Sequence, residues 1–288
     1  MNTPCSQTSL EVAEPMAGTA CAQTLHWIGL EYARPWRPKG VTDTDLSEPV
    51  ADWLRSQAAS PETRPLLLRQ RGRKGRALIY ANLQRDRVHR FELDRYRDLL
   101  DLPWRALRAG ATDEGLTHEQ PIFVCTHSAR DHCCGLHGAG VARELCKRAG
   151  DRVWQCSHLG GHRFAATLVA LPHGIHFGRV RASDAESLLH HLDSGRLFDL
   201  AKVRGQVRYS AAEQAACLQL RRETGDLGVR AFDRVTSTQG SDAIEVAIHH
   251  RGQLQRFSVT KQTTGPSAPP SCGASPAPVH HYVVRGIE

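Results

Sequence analysis

The sequence lacks the two patterns that place a chain in a membrane or in the secretory pathway. No stretch approaches the roughly 20 uncharged apolar residues that a membrane-spanning helix requires. The first residues, Met1-Asn-Thr-Pro-Cys5, contain neither a basic region nor an apolar run, so they do not resemble a signal peptide. We therefore expect a protein that has no membrane partner and is not secreted.

The sequence also lacks the cysteine pattern of a disulfide-bonded protein. Its nine cysteines are an odd number, whereas a disulfide framework is usually even in number and belongs to a shorter chain. There is no Cys-x-x-Cys motif for thiol–disulfide exchange. These features predict a cytoplasmic protein in a reducing compartment, where clustered cysteine and histidine side chains act as metal ligands.

The sequence also lacks the signatures of nucleic-acid binding and of glycosidase activity. The formal net charge of +7, from 37 basic and 30 acidic residues, permits an acidic partner. The excess is mostly dispersed arginine without interleaved aromatic residues, so we expect no nucleic-acid partner. The one dense basic run, Arg71–Arg76, is interpreted as a turn between strands. There is no paired-carboxylate motif for sugar cleavage, so glycosidase activity is not predicted.

The 288 residues, of which 40% are hydrophobic, are enough for two domains. Residues 1–115 form the predicted N-terminal domain, in which strand-like and helix-like segments alternate. Its predicted strands are 26–31, 66–69, 77–83 and 88–93. Its predicted helices are one that begins at Ser47, with Pro49 in the first turn, and one over 96–107 with a break or bend at Pro103.

Residues 116–200 form the predicted second domain. Its segments are a strand over 121–125, a loop over 126–138, a helix over 139–149, a strand over 153–158, a hairpin of 164–171 and 175–180, and a helix over 185–192 that opens with a capping box at Ser183–Glu186. This order is the minimal thioredoxin-like pattern, in which sites lie at the carboxyl ends of strands. The first domain has a similar order. The predicted fold class is therefore α/β (α+β), with two three-layer thioredoxin-like domains.

Residues 201–288 are interpreted as a β-rich C-terminal appendage. A capping box at Ser210–Glu213 begins a helix that runs to residue 222. The remaining predicted segments are strands at 229–236 and 243–260, a loop rich in Pro, Ser and Gly over 263–277, and a last strand over 280–285.

Four side chains in the second domain have the spacing of metal ligands. Cys125 and Cys134 are nine positions apart, and His158 and His162 are four positions apart with two glycines between them. The glycine pair predicts a tight turn that directs both imidazoles to one metal. Two thiolates with two imidazoles fit either a structural zinc ion or a two-iron cluster with nitrogen ligands on one iron. The spacing differs from that of Rieske proteins and leaves zinc and iron both open.

Longer strings around these ligands carry a resemblance. They are Cys125-Thr-His-x-x-Arg-Asp-x-x-Cys134, Trp154-x-x-x-His-x-Gly-Gly-His-Arg-Phe-Ala165 and Leu171-Pro-x-Gly-x-x-x-Gly-Arg-Val180. The chain resembles the sucrase/ferredoxin-like family of thioredoxin-like ferredoxins. The resemblance implies a [2Fe–2S] cluster bound by Cys125, Cys134, His158 and His162. It also implies an electron-transfer protein rather than an enzyme, whose partner is another redox protein. Histidine ligation further suggests that reduction is coupled to proton uptake.

Several alternatives stay open. Cys133 competes with Cys134 as a ligand or forms a vicinal disulfide with it. The neighbouring His127, His132 and His137 either support the ligands or are partly exposed, and Arg130 pairs with Asp131 or donates to the cluster. We expect the other cysteines, at 5, 21, 146, 156, 217 and 272, to be buried apolar residues or loop thiols. The rival functions are a Cys2His2 structural zinc module and, as the weakest, a thiol oxidoreductase that uses Cys133 and Cys134.

Overall fold

Two β-sheets and six α-helices make up the computed structural model, which describes residues 3–287 except for the side chains of residues 264–266. In chain order the strands are β1 (His26–Glu31), β2 (Thr63–Arg69), β3 (Ala77–Asn82), β4 (Arg87–Glu92), β5 (Leu116–Thr117), β6 (Ile122–Cys125), β7 (Val153–Cys156), β8 (Leu168–Ala170), β9 (Ile175–Phe177), β10 (Val203–Gln206), β11 (Arg234–Gln239), β12 (Ile244–His250), β13 (Gln253–Ala268) and β14 (Ala277–Ile287). The helices are α1 (Cys5–Glu11), α2 (Glu48–Ala59), α3 (Trp104–Ala109), α4 (His132–Ala149), α5 (Ala185–Asp193) and α6 (Ala211–Thr224).

Each half of the chain up to β10 has the same topology. In the first half β1 and β2 are parallel and connected through α2, and β3 and β4 extend the sheet antiparallel on the other side of β1. In the second half β6 and β7 are parallel and connected through α4, and β8 and β9 extend the sheet beyond β6. This repeated order confirms the mixed α/β class and is what two thioredoxin-like copies require.

The two halves share one sheet. Its ten strands run in the order β10-β9-β8-β6-β7-β2-β1-β3-β4-β5. The halves meet where the edge strands β2 and β7 pair antiparallel, with Leu68 opposite Cys156 and Arg69 opposite Gln155. A buried layer that includes Trp27, Phe123 and Trp154 covers one face of this junction. The candidate ligands of the second half therefore lie next to the β2–β7 junction. The predicted domain boundary at residues 115/116 stays a prediction.

The largest difference from the sequence prediction is the start of α4. The sequence predicted a loop over 126–138 and a helix from residue 139, but the helix begins at His132. Asp131 is its N-cap, and its carboxylate accepts a hydrogen bond from the Cys133 backbone N–H at 2.9 Å. A β-carbon at Gly138 would lie 1.9 Å from the Cys125 carbonyl oxygen, so glycine is needed for this close helix–strand approach. Cys133 and Cys134 consequently lie in the first helical turn rather than in a loop.

The other segments follow the predictions with local corrections. Residues 96–107 divide at Pro103 into a 3₁₀ turn and α3, as the proline predicted. The capping box at Ser210 is formed, but the one predicted at Ser183 is not, because a 3₁₀ turn over Ala182–Asp184 precedes α5. The basic run Arg71–Arg76 is a turn between β2 and β3, as expected.

The C-terminal segment forms the second sheet, in the order β11-β12-β13-β14. The predicted strand over 243–260 is two strands that meet at a turn over residues 251–252, and β13 continues into the predicted loop. The loop is therefore shorter and covers residues 269–276. The face of this sheet that includes Val246 and Phe257 packs against α6. Among the described residues, none of the helices has the length and apolar character needed to cross a bilayer.

Candidate metal centre

The Cys125 thiol lies at the carboxyl end of β6, one of the central strands of the large sheet. Cys125 pairs with Cys156 across the parallel β6–β7 ladder, and its backbone N–H donates to the Thr167 carbonyl at 3.0 Å. The side chain is 1% exposed. Strand ends at this edge gather the side chains of neighbouring segments, which is why α4 and the segment after β7 both meet Cys125 here.

Cys134 and His158 complete a compact group with Cys125. The donor atoms of these three residues all lie within 4.8 Å of one another, and Cys134 Sγ lies 3.7 Å from His158 Nδ1. The main chain of His158 is fixed on both sides. Its N–H donates to His127 Nδ1 at 3.2 Å, and its carbonyl accepts from Arg64 at 2.9 Å. The imidazole is thus held with Nδ1 facing the thiols.

His162 lies next to this group but outside it. Its ring centroid is 5.1 Å from that of His158. Its Nε2 lies 2.6 Å from the Pro270 carbonyl oxygen, and because a carbonyl can only accept, Nε2 carries the proton. Nδ1 is therefore unprotonated, and it is buried without a hydrogen-bond partner among the described residues. A buried, unpartnered nitrogen on a ring next to that of His158 is available for a metal.

The turn between the two histidines is built as the glycine pair predicted. Gly160 and Gly161 have φ angles of +93° and +71°, which non-glycine residues rarely adopt. The buried Arg204 guanidinium holds this turn by donating to the Gly160 carbonyl at 2.9 Å, and it also donates to Thr19 Oγ1 at 3.1 Å. Arg204 is 44 residues from Gly160 in the chain, and no local sequence pattern identifies its role.

The neighbouring side chains of Cys133 and Asp131 face away from the group. Cys133 does not face the group, because its Sγ lies 3.6 Å from Cys5 Sγ and 3.3 Å from Cys272 Sγ. Cys133 and Cys134 are both free thiols, so no vicinal disulfide is formed. Asp131 does not pair with the exposed Arg130. Its carboxylate accepts hydrogen bonds from the backbone N–H groups of Cys133 and Cys272, at 2.9 and 3.0 Å.

The three flanking histidines also differ from one another. His127 is 2% exposed, and its ring packs edge-on against Trp36 at 5.7 Å. Its Nε2–H donates to the Arg37 carbonyl at 3.0 Å, which leaves Nδ1 to accept the His158 N–H. His132 and His137 are exposed. Only His127 therefore supports a candidate ligand, and its tautomer is fixed by two backbone groups.

The electrostatics of the thiol pair favour one thiolate. The hydrogen bond with Cys134 lowers the pKa of Cys125, and the same bond raises the pKa of Cys134. Burial raises both, but His158 also lowers the pKa of Cys125. The net effect is that the pKa of Cys125 is lowered and the pKa of Cys134 is raised. Burial lowers the pKa of His162, so its imidazole is neutral and can ligate at neutral pH.

The centre opens to the surface on the histidine side. Cys125 and Cys134 are each 1% exposed, whereas His158 and His162 are partly exposed. His158 lines a cleft of about 350 Å³, which is also lined by the cationic side chains of Lys39, Arg64 and Arg130. The thiols are therefore shielded from water, while one imidazole lies in a positively charged opening.

Comparison with known proteins agrees with the ligand strings. The family model described as Sucrase/ferredoxin-like matches residues 16–205, which include all four candidate ligands. No curated protein and no solved structure matches the chain. The match covers both halves of the ten-stranded sheet and leaves out α1 and the C-terminal sheet. Because it spans well over half of the chain, the chain belongs to the sucrase/ferredoxin-like family.

Proposed function

We propose that the protein is a one-electron carrier in which Cys125, Cys134, His158 and His162 hold a [2Fe–2S] cluster. The observation that carries the proposal is the convergence of donors from three separate segments. The Cys125, Cys134 and His158 donors lie within 4.8 Å of one another, and the ring of His162, whose Nδ1 has no partner among the described residues, lies 5.1 Å from that of His158. Two thiolates and two imidazoles are a donor set that such clusters use, and membership of a ferredoxin-like family agrees with it.

The cysteine and histidine ligands would have different roles in holding the cluster and exposing it to a partner. A bound cluster with two histidine ligands supplies one-electron chemistry at a higher potential than one with cysteine ligands alone. The buried thiolates of Cys125 and Cys134 would ligate the inner iron and keep water from it. His158 and His162 would ligate the outer iron, nearer the surface. Electron transfer then takes place through the cleft at His158.

The charge of that cleft favours an acidic redox partner. Lys39, Arg64 and Arg130 line it together with His158. Complementary charge accelerates the encounter of two redox proteins and orients them, and its effect weakens as salt is added. We infer that an acidic electron-transfer protein docks here, so that the outer histidine is nearest the partner.

The imidazoles also supply a route for proton coupling. The Nε2–H of His162 donates to the Pro270 carbonyl, which leaves an ionisable proton on the side of the ring away from Nδ1. His162, as a ligand, would hold that proton more tightly when the bound group carries an additional electron. Reduction is therefore proposed to be linked to proton uptake.

A second candidate is a Cys2His2 structural zinc site, and one distance favours it. Cys134 Sγ and His158 Nδ1 are 3.7 Å apart. A tetrahedral zinc with bonds of about 2.3 Å to sulfur and about 2.0 Å to nitrogen places such atoms about 3.5 Å apart. The donors as they lie could hold a single ion. The two candidates differ in colour, since the iron–sulfur form absorbs visible light and the zinc form is colourless.

The deciding experiment is iron and acid-labile sulfide analysis on protein purified anaerobically, together with visible and EPR spectra. We expect about two irons and about two sulfides per chain. Single alanine variants of Cys125, Cys134, His158 and His162 should each lose most of the signal. The matched control is Cys156→Ala, a buried cysteine on the strand next to Cys125 that is outside the donor group. If the wild-type protein is colourless and has zinc at these ligands, the electron-carrier proposal is wrong and the structural zinc site is supported.

A further inference from the structure

A second group of metal-binding side chains lies next to the candidate cluster site. The donor atoms of Cys5, Asp131, Cys133 and Cys272 all lie within 4.8 Å of one another. Cys5, Cys133 and Asp131 are buried, and Cys272 is partly buried. The four come from the first residue of α1, the start of α4 and the loop over residues 269–276. Three cysteines separated by more than 120 residues in the chain thus meet at one point.

The three sulfurs form a triangle of the size that one metal ion requires. Their separations are 3.6 Å between Cys5 and Cys133, 3.3 Å between Cys133 and Cys272, and 3.6 Å between Cys272 and Cys5. All three are free thiols. A tetrahedral zinc with bonds of about 2.3 Å to sulfur holds its sulfurs about 3.8 Å apart. The triangle therefore needs to widen by only a few tenths of an ångström to accept the ion.

Asp131 supplies the fourth corner. Its Oδ1 lies 3.9 Å from Cys5 Sγ. Two backbone N–H groups fix the carboxylate, since Oδ1 accepts from Cys133 at 2.9 Å and Oδ2 accepts from Cys272 at 3.0 Å. Both donors belong to residues whose thiols face the same point. A carboxylate oriented in this way by its surroundings is preorganised for ligation.

Cys133 also lies at the start of a long helix. Cys133 is in the first turn of α4, which is 18 residues long, so its sulfur lies at the positive end of the helix dipole. Three thiolates select a thiophilic ion, and a hard carboxylate as the fourth donor favours Zn²⁺ over Cu⁺.

We propose that Cys5, Cys133, Cys272 and Asp131 bind one structural Zn²⁺ ion, separate from the cluster. The ion would join α1 and the loop over 269–276 to the start of α4, with loss of the thiol protons on binding. Cys5 and Cys272 lie outside the matched residues 16–205, so this site is not part of the family match.

The zinc site would also support one ligand of the cluster. Cys272 is two residues from Pro270, whose carbonyl accepts the Nε2–H of His162 at 2.6 Å. By anchoring the loop, the ion would hold that carbonyl in place and keep Nδ1 of His162 directed inward. Loss of zinc should therefore loosen the His162 ligand without removing any of the four cluster ligands.

The test is elemental analysis of the full chain, purified anaerobically from medium that contains iron, zinc and copper. Wild type should contain about one zinc per chain in addition to its iron, and zinc X-ray absorption should give three sulfurs at about 2.3 Å and one oxygen at about 2.0 Å. The double variant Cys5→Ser/Cys272→Ser should lose the zinc and keep most of the iron. The matched control Cys146→Ser, on the same helix α4, should keep both metals.

Three results would overturn the proposal. They are zinc retained in the double variant, copper in place of zinc in the wild type, and a disulfide between two of the three cysteines in alkylated protein examined by mass spectrometry. Single variants Cys5→Ser and Cys272→Ser serve if the double variant does not fold. Zinc bound at the cluster ligands can be told apart from zinc bound at Cys5 and Cys272. The variant Cys134→Ala would remove the first and leave the second in place.

Discussion

Cys133 and Cys134 are adjacent in the chain, yet their thiols face different sites. Cys133 Sγ lies 3.3 Å from Cys272 Sγ, whereas Cys134 Sγ lies 3.7 Å from His158 Nδ1. Successive residues of an α-helix are rotated by about 100°, so one helical turn at the start of α4 serves two groups of ligands.

The two adjacent cysteines should therefore give opposite results when replaced by serine. Cys134→Ser should lose most of the iron and the visible absorption, because it removes a proposed cluster ligand. Cys133→Ser should keep most of the iron and lose the zinc. Iron, zinc and absorption measured on the same preparations check this. Loss of the iron in Cys133→Ser with its retention in Cys134→Ser would mean that the ligand assignment is reversed.

Histidine ligation should set the potential and its dependence on pH. Replacing His158 or His162 by cysteine should lower the midpoint potential by on the order of 100 mV if the cluster survives, because thiolate ligation stabilises the oxidised form. The wild-type potential should fall as pH rises through the pKa of the ligand imidazoles, by up to about 59 mV per pH unit for one proton and one electron. Redox titration followed by EPR measures both effects.

The control for that series is His118→Cys, which makes the same substitution at an exposed histidine that is not one of the candidate ligands. Its potential should equal that of the wild type. A wild-type potential that is constant from acid to alkaline pH would exclude proton coupling through the imidazoles.

The sequence was sufficient for the parts of the fold that depend on local pattern. Strand β1 has the predicted bounds, and the break at Pro103 and the capping box at Ser210 are present. The prediction was wrong at α4, where residues 126–138 were expected to form a loop but the helix begins at His132. Gly138 is there because the helix backbone packs against Cys125, and this tertiary requirement has no local signature. The capping residue Asp131, one position before the helix, was the available signal.

The candidate site depends on local pattern in the same way. Local spacing selected Cys125, Cys134, His158 and His162 as candidate ligands, and the resemblance implied their roles. The contact of Arg204 with the glycine turn joins residues that are 44 positions apart in the chain, and the contact of Cys5 with Cys272 joins residues that are 267 positions apart. Such contacts follow from how the halves pack, and a single sequence contains no period or spacing that reports them.

The close approach of α4 to β6 should make Gly138 intolerant of any side chain. In Gly138→Ala the new β-carbon would lie 1.9 Å from the Cys125 carbonyl oxygen, so the helix must shift. We expect a loss of about 1–3 kcal/mol in the free energy of unfolding and reduced iron content, because Cys134 moves with the helix. Urea denaturation and iron analysis measure the two effects.

Gly140→Ala is the matched control on the same helix. A β-carbon there has no neighbour within 4 Å, and alanine stabilises a helix interior by about 0.5–1 kcal/mol relative to glycine. The two alanine variants should therefore change stability in opposite directions. Equal effects at both positions would show that helix propensity, rather than the contact with Cys125, decides the outcome.

The turn between the histidines should depend on Gly161 more than on Gly160. Both have positive φ, so alanine costs about 1–2 kcal/mol of backbone strain at either position. At Gly161 the β-carbon would also lie 2.5 Å from the Arg204 guanidinium, whose hydrogen bonds hold it in place, whereas the space at Gly160 is open. Gly161→Ala should therefore lose the cluster and Gly160→Ala should keep most of it, as measured by visible absorption. Similar losses in both would attribute the effect to strain alone.

Acid should destabilise the protein through His26, which is distant from the metal ligands in the chain. His26 is 6% exposed, its ring stacks on Tyr80, and its Nδ1 lies 2.8 Å from the Tyr80 hydroxyl. Burial, reinforced by the charge of Arg108, lowers the pKa of His26 to about 4, from about 6.5 in the unfolded chain. Between these values the unfolded state binds more protons. The His26 contribution is therefore complete above about pH 6.5, is lost as pH falls towards 4, and amounts to about 3 kcal/mol.

Comparison with His26→Gln isolates this effect, because glutamine can still accept a hydrogen bond from Tyr80 but does not titrate. Urea unfolding of both proteins from about pH 7.5 to about pH 4 should give curves of stability against pH that converge or cross, since the wild type loses up to about 3 kcal/mol more than the variant over this range. Loss of metal at low pH affects both proteins alike and cancels in the difference. His118→Gln, at an exposed position, should follow the wild type at every pH. Parallel curves for wild type and His26→Gln would mean that the folded protein accommodates a charged imidazole at this position.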